Sequence, residues 1–125
     1  MTDTDQVRLS ATSRPARVGE LVLVMATLLG VVNHSAGVFV IAEEDPEPLM
    51  FAAFAAVNAY ALVVLLVPYR RRELWAWAAT WLNVTATAMV FVSLRDAVGV
   101  SYLVGAVVMS IAQAATYPEF RRYPH

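Results

Sequence analysis

Long apolar runs alternate with short polar or charged punctuation along this chain. Apolar residues dominate from about Val18 to Ala42, Leu49 to Val67, Leu74 to Leu94 and Ala97 to Tyr117. A helix needs about 20 mostly apolar residues to cross the hydrocarbon core of a bilayer, and each run is long enough. Helices also satisfy their own backbone groups where no water is present to do so. The pattern predicts an all-α fold, a four-helix transmembrane bundle. Residues 1–17 form a polar tail, residues 18–117 a four-span membrane domain, and residues 118–125 a second tail. Short connections make sequence neighbours antiparallel neighbours. Pro46 and Pro48 shape the first connection. Asp96 is placed to cap the start of the fourth span.

Charge adds an orientation. Arg8, Arg14 and Arg17 precede span one, Arg70, Arg71 and Arg72 separate spans two and three, and Arg121 and Arg122 follow span four. The opposite side carries the acidic run from Glu43 to Glu47 and the turn Arg95-Asp96. Basic residues stay on the cytoplasmic side, so both termini are expected in the cytoplasm and the protein in the cell (inner) membrane. The polar stretch from Met1 to Arg17 precedes an apolar run longer than a signal h-region, so no secretory signal is read there. Tyr69, Trp75, Trp77 and Tyr117 fall at the expected cytoplasmic boundary, and Phe39, Phe51 and Tyr102 at the outer one, where amphipathic rings settle.

Composition agrees and excludes several chemistries. Of 125 residues, 59% are hydrophobic and only 15% charged, against about 25% charged in soluble domains. With no cysteine there is no disulfide, thiolate metal site or cysteine nucleophile. The only histidines are His34 and the terminal His125, too few for a bis-His haem or an ordinary zinc site. No metal, cofactor or nucleic-acid partner is expected. No P-loop, dinucleotide fingerprint or nucleophile elbow occurs. The acidic run lacks the ligand spacing of a calcium loop and reads as solvated. Asn33-His34-Ser35 and Asn83-Val84-Thr85 match the glycosylation pattern but lie inside spans, where they should stay unmodified.

Membrane helices associate through small residues and interhelical hydrogen bonds. Span one offers Ala26, Gly30 and Gly37; span two Ala52, Ala55, Ala56 and Ala59; span three Ala76, Thr80, Asn83 and Thr87; span four Gly105, Ala106, Ser110 and Gln113. The strong hydrogen-bonding side chains within the spans are Asn33, His34, Asn58, Asn83 and Gln113. Two readings stand: interhelical bonds that fix register, or a polar ligand site. His34 is an ionisable residue within a span, which is a functional hypothesis by default, although a neutral imidazole bonded to Asn58 or Asn83 would explain it structurally. Glu20, one turn into span one, either pairs with Arg17, Arg70 or Arg72 or couples to a proton or cation. Arg70, Arg71 and Arg72 either anchor the topology or contact anionic lipid heads.

The junction Pro68-Tyr69-Arg70-Arg71-Arg72-Glu73-Leu74-Trp75-Ala76-Trp77, with Gly30, His34 and Gly37 in span one, resembles small four-helix membrane proteins common in actinobacteria. More broadly the chain resembles the DoxX-like group. The resemblance covers most of the chain by hydropathy and these two stretches by residue. It implies a four-helix fold and assigns no activity. A second likeness is to small multidrug-resistance transporters, which carry a membrane-embedded Glu in span one. Glu20 is the candidate here, near the surface, and the arginine bias departs from the dual-topology members.

The expected function is that of a small non-enzymatic membrane protein. It would be an accessory subunit of a larger membrane complex, or a binder of a lipid-like molecule through Asn33, His34, Asn58, Asn83 and Gln113. The alternative is a small homo-oligomeric proton-coupled transporter using Glu20 or His34. An intramembrane lipid isomerase ranks third, because His34 has no buried carboxylate to act beside it.

Overall fold

The structure, a computed structural model, describes residues 12–41 and 47–122. Among these residues the regular structure is all helical. Helix α1 spans Arg14–Ala36 and runs on into a π-helical turn, Gly37–Ile41. Helix α2 spans Glu47–Leu66, α3 Leu74–Ser93 and α4 Ala97–Arg122. Each is long and apolar enough to cross a membrane. Most of the acidic run, together with Arg8 and His125, lies outside the described residues.

The helices form a ring. Helix α1 packs on α2 and α4, and α4 packs on α3, whereas α2 meets α3 more sparsely. The outer faces are strongly apolar, with Leu21, Leu29, Val63, Leu82 and Ile111 all well exposed. Such a surface suits lipid and not water. The interior holds Leu23, Leu65, Tyr69, Ala76, Met109 and Phe120, mixed with Thr27, Thr80, Asn83, Gln113 and Thr116.

Two helices overrun the expected spans at the end where the termini lie. Helix α1 begins at Arg14, not Val18, because Pro15 is pre-set for a first helical turn. Its Ser13 cap makes no side-chain bond; instead Glu119 Oε1 accepts the Ser13 N–H at 3.1 Å. A carboxylate from α4 thus faces the positive end of α1. Helix α4 continues through Pro118 to Arg122, carrying Glu119 and Phe120 into the interior. At the opposite end Asp96 caps α4, its Oδ1 accepting the Gly99 N–H at 2.9 Å.

The small-residue faces differ in outcome. On α3 the expected stripe is internal: Ala76, Thr80 and Asn83 are buried and Thr87 half-buried. On α2 the expectation is reversed. Ala52, Ala56 and Ala59 face outward and only Ala55 of the expected four is half-buried, while Phe51, Phe54, Asn58, Ala61 and Leu65 turn inward. The cause lies on α1. A methyl added at Gly37 would run into the Phe51 ring, and one at Gly30 would sit 2.5 Å from Asn58 Oδ1. Helix α1 withdraws volume, and large α2 side chains fill the space.

The α2–α3 junction ends in a turn with an unusual residue. The Arg72 N–H bonds the Tyr69 carbonyl at 3.0 Å and the Glu73 N–H bonds the Pro68 carbonyl at 3.2 Å. This is a Schellman closure, whose left-handed position normally takes glycine. Here it is Arg72, at φ 60°.

Candidate functional site

A cavity of about 360 Å³ lies between the four helices, from mid-bundle towards the end carrying the α3–α4 turn. Gly30, Asn33 and His34 line it from α1, Phe54 and Asn58 from α2, Asn83 and Thr87 from α3, and Tyr102 and Gly105 from α4. Its other walls are Ala, Val, Leu, Met and a serine; among the described residues no Asp, Glu or Arg lines it. The cavity keeps α2 and α3 apart, which accounts for their sparse contact.

One corner is polar. Asn58 Nδ2 donates to the Phe54 carbonyl at 2.8 Å and lies 3.3 Å from His34 Nδ1. A carbonyl only accepts, so this contact fixes the amide orientation, and the second amide proton faces the imidazole. His34 Nδ1 is therefore the acceptor, and the neutral ring carries its proton on Nε2. The opposite tautomer, with the proton on Nδ1, would set two N–H groups against each other. His34 Nε2 lies 3.0 Å from the Tyr102 hydroxyl and donates to it. Phe54, at 5.3 Å between ring centroids, and Phe51, at 6.4 Å, close the apolar side of the imidazole.

The remaining expected residues divide. Asn33 joins the corner, its Nδ2 donating to the Tyr102 oxygen at 3.3 Å. Asn83 lines the cavity wall and donates to Thr27 Oγ1 at 3.2 Å, tying α3 to α1 across the ring. Gln113 does not reach the cavity. It is fully buried nearer the terminal end, where its Nε2 donates to the Trp77 carbonyl at 2.6 Å and its own carbonyl accepts from Trp77 Nε1 at 3.1 Å. This reciprocal pair locks α3 to α4.

Glu20 also lies outside the cavity, at the terminal end. Its two oxygens meet Arg70 Nε at 3.3 Å and Arg72 Nη2 at 3.1 Å. Arg17 does not share in that pairing. Arg72 also reaches Thr12 Oγ1 at 3.4 Å and lies over the Phe120 ring. Arg70 and Arg71 are exposed.

Three residues were misread or missed from sequence. Tyr69 is no interface anchor; it is completely buried and edge-on to Phe120 at 4.7 Å. The Thr116 hydroxyl donates to the Gln113 carbonyl at 2.7 Å, so Tyr69 donates to Thr116 Oγ1 at 2.5 Å, with Gln113 Oε1 a second acceptor at 3.2 Å. Burial pushes the Tyr69 phenol up to about 12. Tyr102, expected in the outer belt, is the partner of His34; matching depths across the antiparallel α1–α4 pair would have found it. A buried carboxylate does exist: Glu119 is 2% exposed. It is 17 residues along α4 from Tyr102, about 25 Å of helix, and cannot act beside His34.

Among the described residues no group of His, Asp or Glu could hold a metal ion. Comparison with protein-family models, curated proteins and solved structures finds no match.

Proposed function

We propose that this is a non-enzymatic membrane protein that binds a lipid-like molecule in the cavity between its helices. The observation that carries this reading is the cavity itself: apolar walls from four helices with one neutral polar corner built by His34, Asn58 and Tyr102. Its volume falls in the range of small-molecule sites, and such sites are mostly apolar with a few placed polar groups. A bundle built only for packing has no need of the space, since interiors otherwise close to a density that leaves few voids. The DoxX-like resemblance adds a fold to this reading and nothing about the ligand.

The orientation is part of the proposal. Among the described residues Arg14, Arg17, Arg70, Arg71, Arg72, Arg121 and Arg122 gather at the terminal end, and only Arg95, beside Asp96, lies at the other. This supports cytoplasmic termini in the inner membrane and a cavity in the outer half of the bilayer. A single cysteine in place of Arg95 is then labelled from outside intact cells and one in place of Arg122 is not; the reverse pattern refutes the topology. The transporter alternative gains no support from Glu20, whose oxygens are held by Arg70 and Arg72.

The deciding experiment is native mass spectrometry of protein gently extracted from its own membrane, wild type beside His34→Leu. A discrete small-molecule adduct that the variant loses is the expected result. An empty wild-type bundle refutes the reading, and an empty bundle held by a second protein would favour the accessory role.

A further inference from the structure

The donors and acceptors of the polar corner specify the head group that fits it. This rests on the proposal that the cavity holds a ligand, and goes on to name the ligand's chemistry. Both Asn58 amide protons are engaged, one by the Phe54 carbonyl and one by His34 Nδ1. Both His34 nitrogens are engaged in turn, the second by the Tyr102 hydroxyl. That hydroxyl oxygen accepts from His34 Nε2 and from Asn33 Nδ2. Two acceptor positions are thereby filled, and among the described residues the phenolic proton has no partner. The wall hydroxyls offer no second donor: Thr87 donates to the Asn83 carbonyl at 2.8 Å and Ser101 to the Ala97 carbonyl at 2.9 Å.

We infer that Tyr102 donates this proton to a neutral, acceptor-only head group, a ketone or ester carbonyl on an otherwise apolar molecule. An anion would find no cationic side chain among the described lining residues, so its desolvation cost would not be offset there. A cation would meet no carboxylate among the described lining residues, and its desolvation would likewise go unrepaid. At about 30 Å³ per water-sized unit, the space takes on the order of a dozen non-hydrogen atoms. That is a head group with a short apolar stretch, the rest of a longer molecule lying out between α2 and α3.

The test uses the full chain in nanodiscs and three probes of matched length: 2-undecanone, undecane and undecanoate. Adducts are titrated by native mass spectrometry, and the His34 ring nitrogens are observed by ¹⁵N NMR. The ketone is expected to bind about fivefold more tightly than the alkane, the value of one neutral hydrogen bond. Undecanoate should bind more weakly than the ketone, and Tyr102→Phe should bring the ketone-to-alkane ratio close to one with undecane binding unchanged. The NMR spectrum should show a bare Nδ1. Equal binding of ketone and alkane, a preference for undecanoate, a ratio untouched in Tyr102→Phe, or loss of undecane in that variant each overturns the inference and leaves a ligand-binding cavity standing. A protonated Nδ1 overturns it too, because Tyr102 would then donate to Nε2. Failure of all three probes to bind sinks the binding function itself.

Discussion

Replacing Tyr69 by Phe should change both the stability of the bundle and its response to alkali. The phenol is fully buried, bonded to Thr116 and facing Gln113, and its titration is pushed up from 10 to about 12, chiefly by burial. Two pKa units at 1.36 kcal/mol each amount to about 3 kcal/mol of preference for the neutral phenol in the native state. Below pH 10 both native and unfolded chains keep the proton, so the contribution is fully present. Between pH 10 and 12 the unfolded chain ionises while the native one does not, and stability falls with rising pH. Above about 12 the slope vanishes. At neutral pH the variant should be less stable by about 1–2 kcal/mol, because it loses the bond to Thr116 and leaves Gln113 Oε1 without a donor. The variant should also lack the alkaline slope, so the wild-type advantage shrinks and then reverses at about pH 11. SDS-driven unfolding followed by helical circular dichroism, repeated across pH 9–12.5, reads both effects. The wild-type-minus-variant tyrosinate absorbance isolates the titration of this one side chain among five tyrosines. A difference spectrum that titrates near 10, or an alkaline slope retained in Tyr69→Phe, would refute the account of this buried cluster.

Substitutions at two further positions test the glycine-dependent geometry. Arg72 sits in the left-handed position of the Schellman turn, a conformation costing a non-glycine residue about 1 kcal/mol, and is held there by Glu20 and the Phe120 ring. Arg72→Gly and Arg72→Ala both lose those contacts, but only Ala retains the strain. The Gly variant should therefore be the more stable by about 1 kcal/mol in the same unfolding assay, and equality would mean that the turn is unstrained. Gly30→Ala would place a methyl 2.5 Å from Asn58 Oδ1 and 2.9 Å from its Cγ, forcing the amide off His34. A loss of about 1–3 kcal/mol is expected, together with a shifted His34 Nδ1 resonance. An unchanged resonance would show that Asn58 does not set the tautomer.

Much of this architecture is legible in the pattern of residues. Four apolar runs became four helices, each long and apolar enough to cross a membrane, because a helix satisfies its own backbone groups. The internal stripe on α3 and the Asp96 cap could be read because each depends on local spacing alone. The pairing of Glu20 with Arg70 and Arg72 was legible from depth, since all three sit within a turn of the same end. What failed was whatever depended on a partner's volume. Helix α2 turns Phe51 and Phe54 inward only because Gly30 and Gly37 on another helix leave room for large side chains. A reading of α2 by itself therefore chose its alanine face. Tyr69 looks like a boundary residue by depth. The turn that ends in Arg72 and the continuation of α4 past Pro118 fold it under Phe120 instead.

The five polar side chains within the spans showed the same limit. Depth alone grouped Gln113 with the others, yet the bundle divides its polar chemistry between two ends. Near the terminal end Gln113, Thr116, Tyr69, Trp77 and Glu119 bond to one another or to backbone, and none of them lines the cavity. Towards the α3–α4 turn Asn33, His34, Asn58 and Tyr102 form an equally connected set that borders open volume. Interhelical hydrogen bonds that serve only to fix register work as well in a closed interior as beside a cavity, so register does not account for that volume. Helices α2 and α3 could close on it only by withdrawing Phe54, Asn58 or Thr87 from their present positions. The polar corner keeps Asn58 where it is, bonded to Phe54 and His34, and so maintains the space beside it. On this argument the cavity and its polar corner form one feature. On the proposed reading, the polar cluster at the terminal end joins the helices and the other end takes the ligand.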